Sequence, residues 1–299
     1  MSAPGWALPA LDALLDRVTA TEAQVGERFP LYADPGTGTW TTTGRGSWTG
    51  GFWAGLLWLR ARRTGAARDR AAAQACTARL ARWVDADTAT RGLILWYGTA
   101  LADDEGSAAL QRRAARACLD AFDPERGMVP WGAAFGGPRL AVRTDGVPGM
   151  VPLLATVDKA AAESHLRRHL KLCPPLRWSR GRAWLLLGIA EGARHLEIAE
   201  LPPAVDQLTT SRLVPSADDE HPDGPLDTSA AAITALALLQ LGRTQHAVDI
   251  LDELVRVHLT ADGRLLDGCY DLDEGTAVRH ELIWGTFFLA YALATLTSG

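Results

Sequence analysis

Cysteine is scarce: Cys76, Cys118, Cys173 and Cys269 are the only four in 299 residues. They lie far apart with no C-x-x-C spacing, which argues against a disulfide framework or a metal site. A reducing, cytoplasmic setting fits that usage. No window approaches about 18 uninterrupted apolar residues, so a membrane-spanning helix is not expected. The N-terminus has no cationic start followed by an apolar run, so no secretory signal is read there. Basic residues are scattered, with Arg60-Ala-Arg-Arg63 the densest run, and the formal net charge is -5. That balance gives no support to a nucleic-acid partner. H-E-x-x-H, G-x-S-x-G and a Gly-rich phosphate loop opening a helix are all missing. Asp262-Gly263 and Asp271-Leu-Asp273-Glu274 read as a turn and a solvated loop rather than Ca²⁺ ligands. No metal and no cofactor are expected. β-Alternation is also rare, and pieces such as Leu140-Ala-Val142 promise only local pairing in loops.

Apolar helices are abundant. Hydrophobic residues make up 47% of the chain and charged ones 22%, enough for a large core. Leu8 to about Arg28 is amphipathic, and a loop rich in Gly, Thr and Trp follows. Gly51–Leu59 is apolar all round, then Ala66–Val84 is amphipathic. The alternation continues with Gly92–Leu101, Glu105–Phe122, Gly146–Leu154, Val157–Leu172 and Arg180–Ala193. A segment between Ile198 and Leu213, broken by Pro202-Pro203, comes next, then Thr228–Leu241, Arg243–Leu259 and Leu282–Leu296. A helix without a polar stripe has to be covered on every side. Six such helices, each joined to a one-faced neighbour, predict an inner ring wrapped by an outer ring. The expected fold is all-α, an (α/α)6 barrel or six-hairpin glycosidase-like toroid, with residues 1–299 as one domain. A solenoid of hairpins is the alternative, and no fixed-period repeat supports it.

In such a barrel the inner helices run parallel, so six N-termini converge on one mouth. Their partial positive charge and spare N–H donors favour an anionic ligand. Loops entering the inner helices carry Trp48, Trp131, Arg143, Trp178, Arg180, Asp227 and Trp284, with Trp40, Arg91, His221, Tyr270 and His280 nearby. Tryptophans there offer a platform for flat, partly apolar faces such as sugar rings. Asp145 opens the segment that holds Val147, Met150, Val151, Leu153 and Leu154. It is read either as an N-cap or as the carboxylate at the rim of the mouth. Asp227 likewise reads as an N-cap before Thr228-Ser229 or as a second carboxylate. His165 and His169, beside Arg167-Arg168, are expected to face solvent.

Several stretches resemble the unsaturated glucuronyl hydrolases and the related unsaturated rhamnogalacturonyl hydrolases. Trp48-Thr-Gly-Gly-Phe-Trp-Ala-Gly-Leu-Leu-Trp-Leu59 is similar to the family's first inner helix. Trp178-Ser-Arg-Gly-Arg-Ala-Trp184 resembles W-x-R-G-Q-A-W. Asp227-Thr-Ser-Ala-Ala-Ala-Ile233 resembles D-[ST]-S-A-x-A-I, and Leu282-Ile-Trp-Gly-Thr-Phe-Phe288 resembles L-I-[WY]-G-D-Y-F. Asp145 with Val147-Pro-Gly-Met150 looks like the segment bearing the family's proton-donating aspartate. The resemblance implies hydration of the C4–C5 double bond of an unsaturated uronic acid on an oligosaccharide. It implies Asp145 as general acid and base, Arg180 as the charge that orients substrate, and Trp48, Trp178 and Trp184 as pocket walls.

Three departures stand out. The family's other catalytic aspartate lies in H-D-x-G-F, where this chain reads Ala89-Thr-Arg-Gly-Leu93, leaving Thr90. Arg182 and Thr286 replace the glutamine and aspartate of two other motifs. Only 32 residues lie between Asp145 and Trp178, where the family carries a longer insert. Three readings therefore stay open: a hydrolase of this family acting on a small or oligosaccharide anionic substrate, a repurposed barrel enzyme doing acid-assisted cyclisation, elimination or hydration of a small metabolite in a biosynthetic pathway, and a catalytically silent carbohydrate-binding protein.

Overall fold

The computed structural model describes residues 3–173, 176–196 and 202–298. Helices with no polar stripe form a closed inner ring: α2 (Gly50–Thr64), α4 (Tyr97–Thr99), α6 (Met150–Ala155), α8 (Ser179–His195), α10 (Thr228–Gln240) and α12 (Ile283–Thr297). A π-helical turn, Gly92–Trp96, runs directly into α4 and completes that short member. Neighbours around the ring touch in order, and α12 closes back on α2. The outer layer is α1 (Ala7–Val25), α3 (Ala67–Arg79), α5 (Glu105–Asp120), α7 (Lys159–Leu172), α9 (Pro202–Leu208) and α11 (Thr244–Glu253). This is the (α/α)6 barrel read from the alternation of all-apolar and one-faced segments.

The two layers differ in burial for the reason the sequence gives. Every residue of α2 from Gly50 to Ala61 and of α8 from Ser179 to Gly192 is buried. In α5 only Ser107, Leu110, Ala114, Ala115 and Cys118 are, the stripe of a helix with one wet side. The barrel axis is filled by Phe52, Trp184, Phe287 and Phe288. Each phenylalanine so buried stabilises the fold by roughly 1.5–3 kcal/mol.

Glycine sets the tightest contact in the ring. A Cβ on Gly92 would lie 2.2 Å from the Met150 nitrogen, and one on Gly149 would lie 2.3 Å from the Gly92 carbonyl oxygen. Backbones of the Gly92–Trp96 turn and of the α6 start therefore meet directly, which no larger residue permits. Gly149 also holds φ +70°, the left-handed conformation that stops any helix from running into α6 from before it. Glu191, buried on α8, accepts from the Gly149 N–H at 2.8 Å and from the Tyr97 hydroxyl at 2.5 Å. Burial pushes its pKa up to about 7.

Two expectations about local structure are corrected here. Leu140-Ala-Val142 forms no strand. Instead β1 (Phe29–Ala33), β2 (Trp40–Thr43), β3 (Gly268–Asp271) and β4 (Thr276–Leu282) make an antiparallel sheet in the order β2-β1-β4-β3. It joins the two ends of the chain, with Tyr32 opposite Leu282 and Ala33 opposite Glu281. Nor does Asp145 cap a helix. Thr144–Gly146 is a 3₁₀ turn whose N-cap position is Arg143, and α6 begins only at Met150 behind Gly149. The segment expected between Ile198 and Leu213 is α9 from Pro202 to Leu208, and residues 197–201 lie outside the described residues.

Candidate active site

A cavity of about 570 Å³ opens at the N-terminal ends of the inner helices. Each segment that precedes or begins one of them contributes to its wall, including Trp48 ahead of α2, Thr90 ahead of the π-helical turn and Asp145 ahead of α6. Trp178 and Arg180 come from the start of α8, Asp218 from the approach to α10 and Tyr270 from β3 before α12. The inner helices therefore share one direction, and their leading ends meet around one space. Ligand-sized cavities run roughly 300–1,000 Å³, so this one has room for a sugar and part of its neighbour.

Asp145 is a carboxylate on a wall that also carries the indoles of Trp48, Trp131, Trp178 and Trp184. Its side chain is 16% exposed, and Arg143 Nε lies 3.4 Å from Oδ1. Arg143 in turn sits 4.3 Å over the Trp131 ring, whose Nε1 donates to the Gly136 carbonyl at 2.8 Å. Burial raises the Asp145 pKa above the ordinary aspartate value, while Arg143, nearest, and Arg180 pull it down. Burial prevails because the carboxyl gives up water on most sides for indole and aliphatic walls. That shift keeps the carboxyl protonated to higher pH than an ordinary aspartate.

Arg180 is almost fully buried and firmly held. It pairs with Asp227 and donates to the backbone carbonyls of Cys269 and Tyr270. Its guanidinium lies 4.8 Å over the Trp178 ring. Asp227 itself is wholly buried, caps α10 by accepting from the Ser229 N–H at 3.1 Å, and does not reach the cavity wall. Trp284 is also behind the wall, 4.8 Å from Trp48, where it supports that ring rather than facing the cavity. The other residues proposed from sequence, Trp48, Trp131, Arg143, Asp145, Trp178, Arg180 and Trp184, line the cavity together.

Some residues near the mouth by sequence are elsewhere in space. Trp40 is in the core, donating to Thr21 Oγ1 at 3.1 Å. Arg91 is buried and donates to the carbonyls of Thr88, Val84 and Ala117. Glu281 pairs with Arg17 of α1 at 2.7 Å. His165 and His169, expected in solvent, are buried. Both lie on the face of α7 that carries Ala161, Ala162 and Leu166, an i, i+3, i+4, i+7 stripe that was legible but masked by the intervening arginines. Sequence reasoning did not place Phe135, Arg177, Asp218 and Asp271–Asp273 at the cavity. Phe135, Arg177 and Asp218 sit on loops with no motif of their own, while Asp271–Asp273 end β3 and enter its turn to β4, where the sequence reads only as a solvated loop. Thr90 faces the cavity too, its hydroxyl 2.9 Å from that of Thr88.

An (α/α)6 barrel with an aromatic-walled pocket at its N-terminal mouth and a largely buried carboxylate, Asp145, on that wall is thus the class that fold and site define. No family model matches the chain. It is similar to the unsaturated glucuronyl hydrolase of Bacillus sp. strain GL1, with 23% identity and 92% of both chains covered. The solved structure of an unsaturated glucuronyl hydrolase from Bacillus sp. GL1, described as responsible for glycosaminoglycan degradation, superposes with a TM-score of 0.84 at 21% identity, covering 95% of each chain. A heparin-specific unsaturated glucuronyl hydrolase gives 0.86 at 19% identity, over 98% of this chain and 97% of that one. A Streptococcus agalactiae unsaturated glucuronyl hydrolase, an aspartate-to-asparagine variant complexed with dGlcA-GalNAc6S, gives 0.77 at 17% identity, over 97% and 91%. These comparisons bear out the resemblance read from the ordered motifs.

Proposed function

We propose that this protein hydrates the C4–C5 double bond of an unsaturated uronic acid at the non-reducing end of an oligosaccharide, with Asp145 as general acid and base. The Asp145 carboxyl gives its proton to C4, the terminal carbon of the vinyl ether. Water adds at C5 and returns a proton to the carboxylate. The resulting hemiketal opens, and the remaining saccharide leaves with its own hydroxyl. The observation that carries this reading is a desolvated carboxyl, raised in pKa, among Trp131, Trp178 and Trp184 at the convergence of six helix N-termini. Those N-termini, with Arg143 and Arg180 near the carboxyl, suit a substrate bearing one carboxylate. Four cysteines with free thiols support a reducing, cytoplasmic setting.

One observation favours a second reading. Thr90 faces the cavity where the resembling family has its other catalytic aspartate, so Asp145 would do the proton transfer without that partner. A repurposed barrel that protonates a different electron-rich double bond in a small metabolite needs only that one group. The test is turnover of unsaturated uronyl disaccharides, followed as loss of ultraviolet absorbance by the conjugated double bond. Wild type is expected to turn over, and Asp145→Asn to lose roughly a thousandfold, the scale of a positioned general acid. A folded wild type inert on a broad panel of such sugars would overturn the hydration reading.

A further inference from the structure

His165 lies on the outer helix α7, wholly buried and behind the cavity wall. The Val129 N–H donates to its Nδ1 at 3.1 Å, so Nδ1 carries no proton. Nε2 therefore carries it, and donates to the Gly146 carbonyl at 3.1 Å. The ring is held in one neutral tautomer, spanning two separate segments. One leads from Val129 to Trp131; the other is the 3₁₀ turn Thr144–Gly146 that presents Asp145. His169, one turn further along α7, locks the arrangement by donating from Nδ1 to the His165 carbonyl at 2.8 Å, its ring 4.3 Å from that of His165.

The same two segments are tied again at the cavity, where Arg143 lies over the Trp131 ring and against the Asp145 carboxyl. The Asp145 turn is thus gripped from both sides. Arg143 and Trp131 hold it in front, and His165 holds it behind through Gly146. We propose that His165 is a positioning residue that fixes the direction of the Asp145 carboxyl through the Val129–His165–Gly146 bridge. This rests on the hydration reading for its kinetic consequence but not for its geometry. A misplacement of about 1 Å in a reacting group costs on the order of a hundredfold in rate, which is the scale at stake.

Three variants separate this role from simple packing. His165→Phe keeps a ring but drops both hydrogen bonds. In His165→Gln the amide nitrogen reaches the place of Nε2 and can donate to Gly146. In His165→Asn the shorter amide oxygen reaches the place of Nδ1 and serves only Val129. The expected kcat order is wild type, then Gln, then Asn and Phe together about a hundredfold down, with KM little changed. Adding His165→Phe to Asp145→Asn should cost nothing further, because the histidine acts through that carboxyl. Gln no better than Asn, equal losses in kcat and in substrate binding, or an additive double variant would overturn the proposal. Should His165→Phe fail to fold, the Gln and Asn pair carries the test. If wild type turns over no unsaturated sugar, the hydration reading falls by itself. The bridge is then read from a carbon-13 NMR titration of the Asp145 carboxyl, identified by its loss in Asp145→Asn. A titration displaced by His165→Gln less than by His165→Asn supports the bridge, and identical titrations in all three proteins refute it.

Discussion

The pKa of Asp145 is the outcome of a contest between loss of water and the pull of two guanidinium groups. Its pKa lies above the ordinary aspartate value, so the acid form survives to higher pH in the folded chain. A general acid in that state works at low pH and fails as pH rises through the raised value. The linkage to stability has the same sign: the neutral form is favoured on folding, and that contribution fades as pH climbs from the ordinary aspartate range through the folded pKa. Arg143 is the larger of the two opposing charges and is half exposed, which softens its effect. Arg143→Gln removes it and leaves burial less opposed. The expected outcome is an alkaline limb of kcat/KM moved to higher pH, with lower affinity for a carboxylate substrate. A limb moved to lower pH would mean that Arg143 does not stabilise the ionised Asp145.

At the scale of helices and strands, the start of α10 binds the mouth together. Asp227 caps that helix and also faces Arg180, which donates as well to the carbonyls of Cys269 and Tyr270 on β3. Asp227→Asn keeps an acceptor for the cap but leaves a buried guanidinium without its counter-charge. Breaking one side of a buried pair costs about 3–5 kcal/mol, so the urea midpoint should fall markedly with the slope retained. A shift of only a few tenths would place the pair in water rather than in the interior. The barrel itself was legible because its signal is long: runs such as Thr228–Leu241 and Leu282–Leu296 have no polar stripe, and only a ring covered on both sides accepts them. The sheet was not legible. Its strands are four to seven residues long, and β1 pairs with β4 across most of the chain, a contact that no local pattern encodes. Asp145 was found for its position, yet its local structure was misread, because Asp before an apolar run has the form of a cap. Pro148-Gly149 was the countersign: with Gly149 at positive φ, the helix starts four residues later than a cap at Asp145 requires.

Across the whole molecule, charge is graded from the floor of the cavity to its rim. Six helix N-termini point at the floor and favour an anion there. Two arginines on the wall already have carboxylates, Arg177 with Glu220 and Arg180 with Asp227, which leaves Arg143, beside the proton-carrying Asp145, for one anionic group. The β3–β4 side adds Asp271 and Asp273, and the chain as a whole carries -5. One carboxylate is therefore accommodated deep in the cavity, while a second anionic group near the rim meets negative charge. The expectation follows for substrates that differ only in sulfation. An unsulfated unsaturated disaccharide should have a kcat/KM about tenfold above its sulfated counterpart, the effect of roughly 1.4 kcal/mol of unscreened repulsion. Because the rim is exposed, the gap should narrow as salt shortens the screening length from about 10 Å at 0.1 M towards 3 Å at 1 M. Asp271→Asn with Asp273→Asn should narrow it at low salt as well. Rates on the two sugars at low and high salt, in wild type and in the double variant, check this directly. A preference for the sulfated sugar that the double variant leaves intact would mean that the rim does not set selectivity.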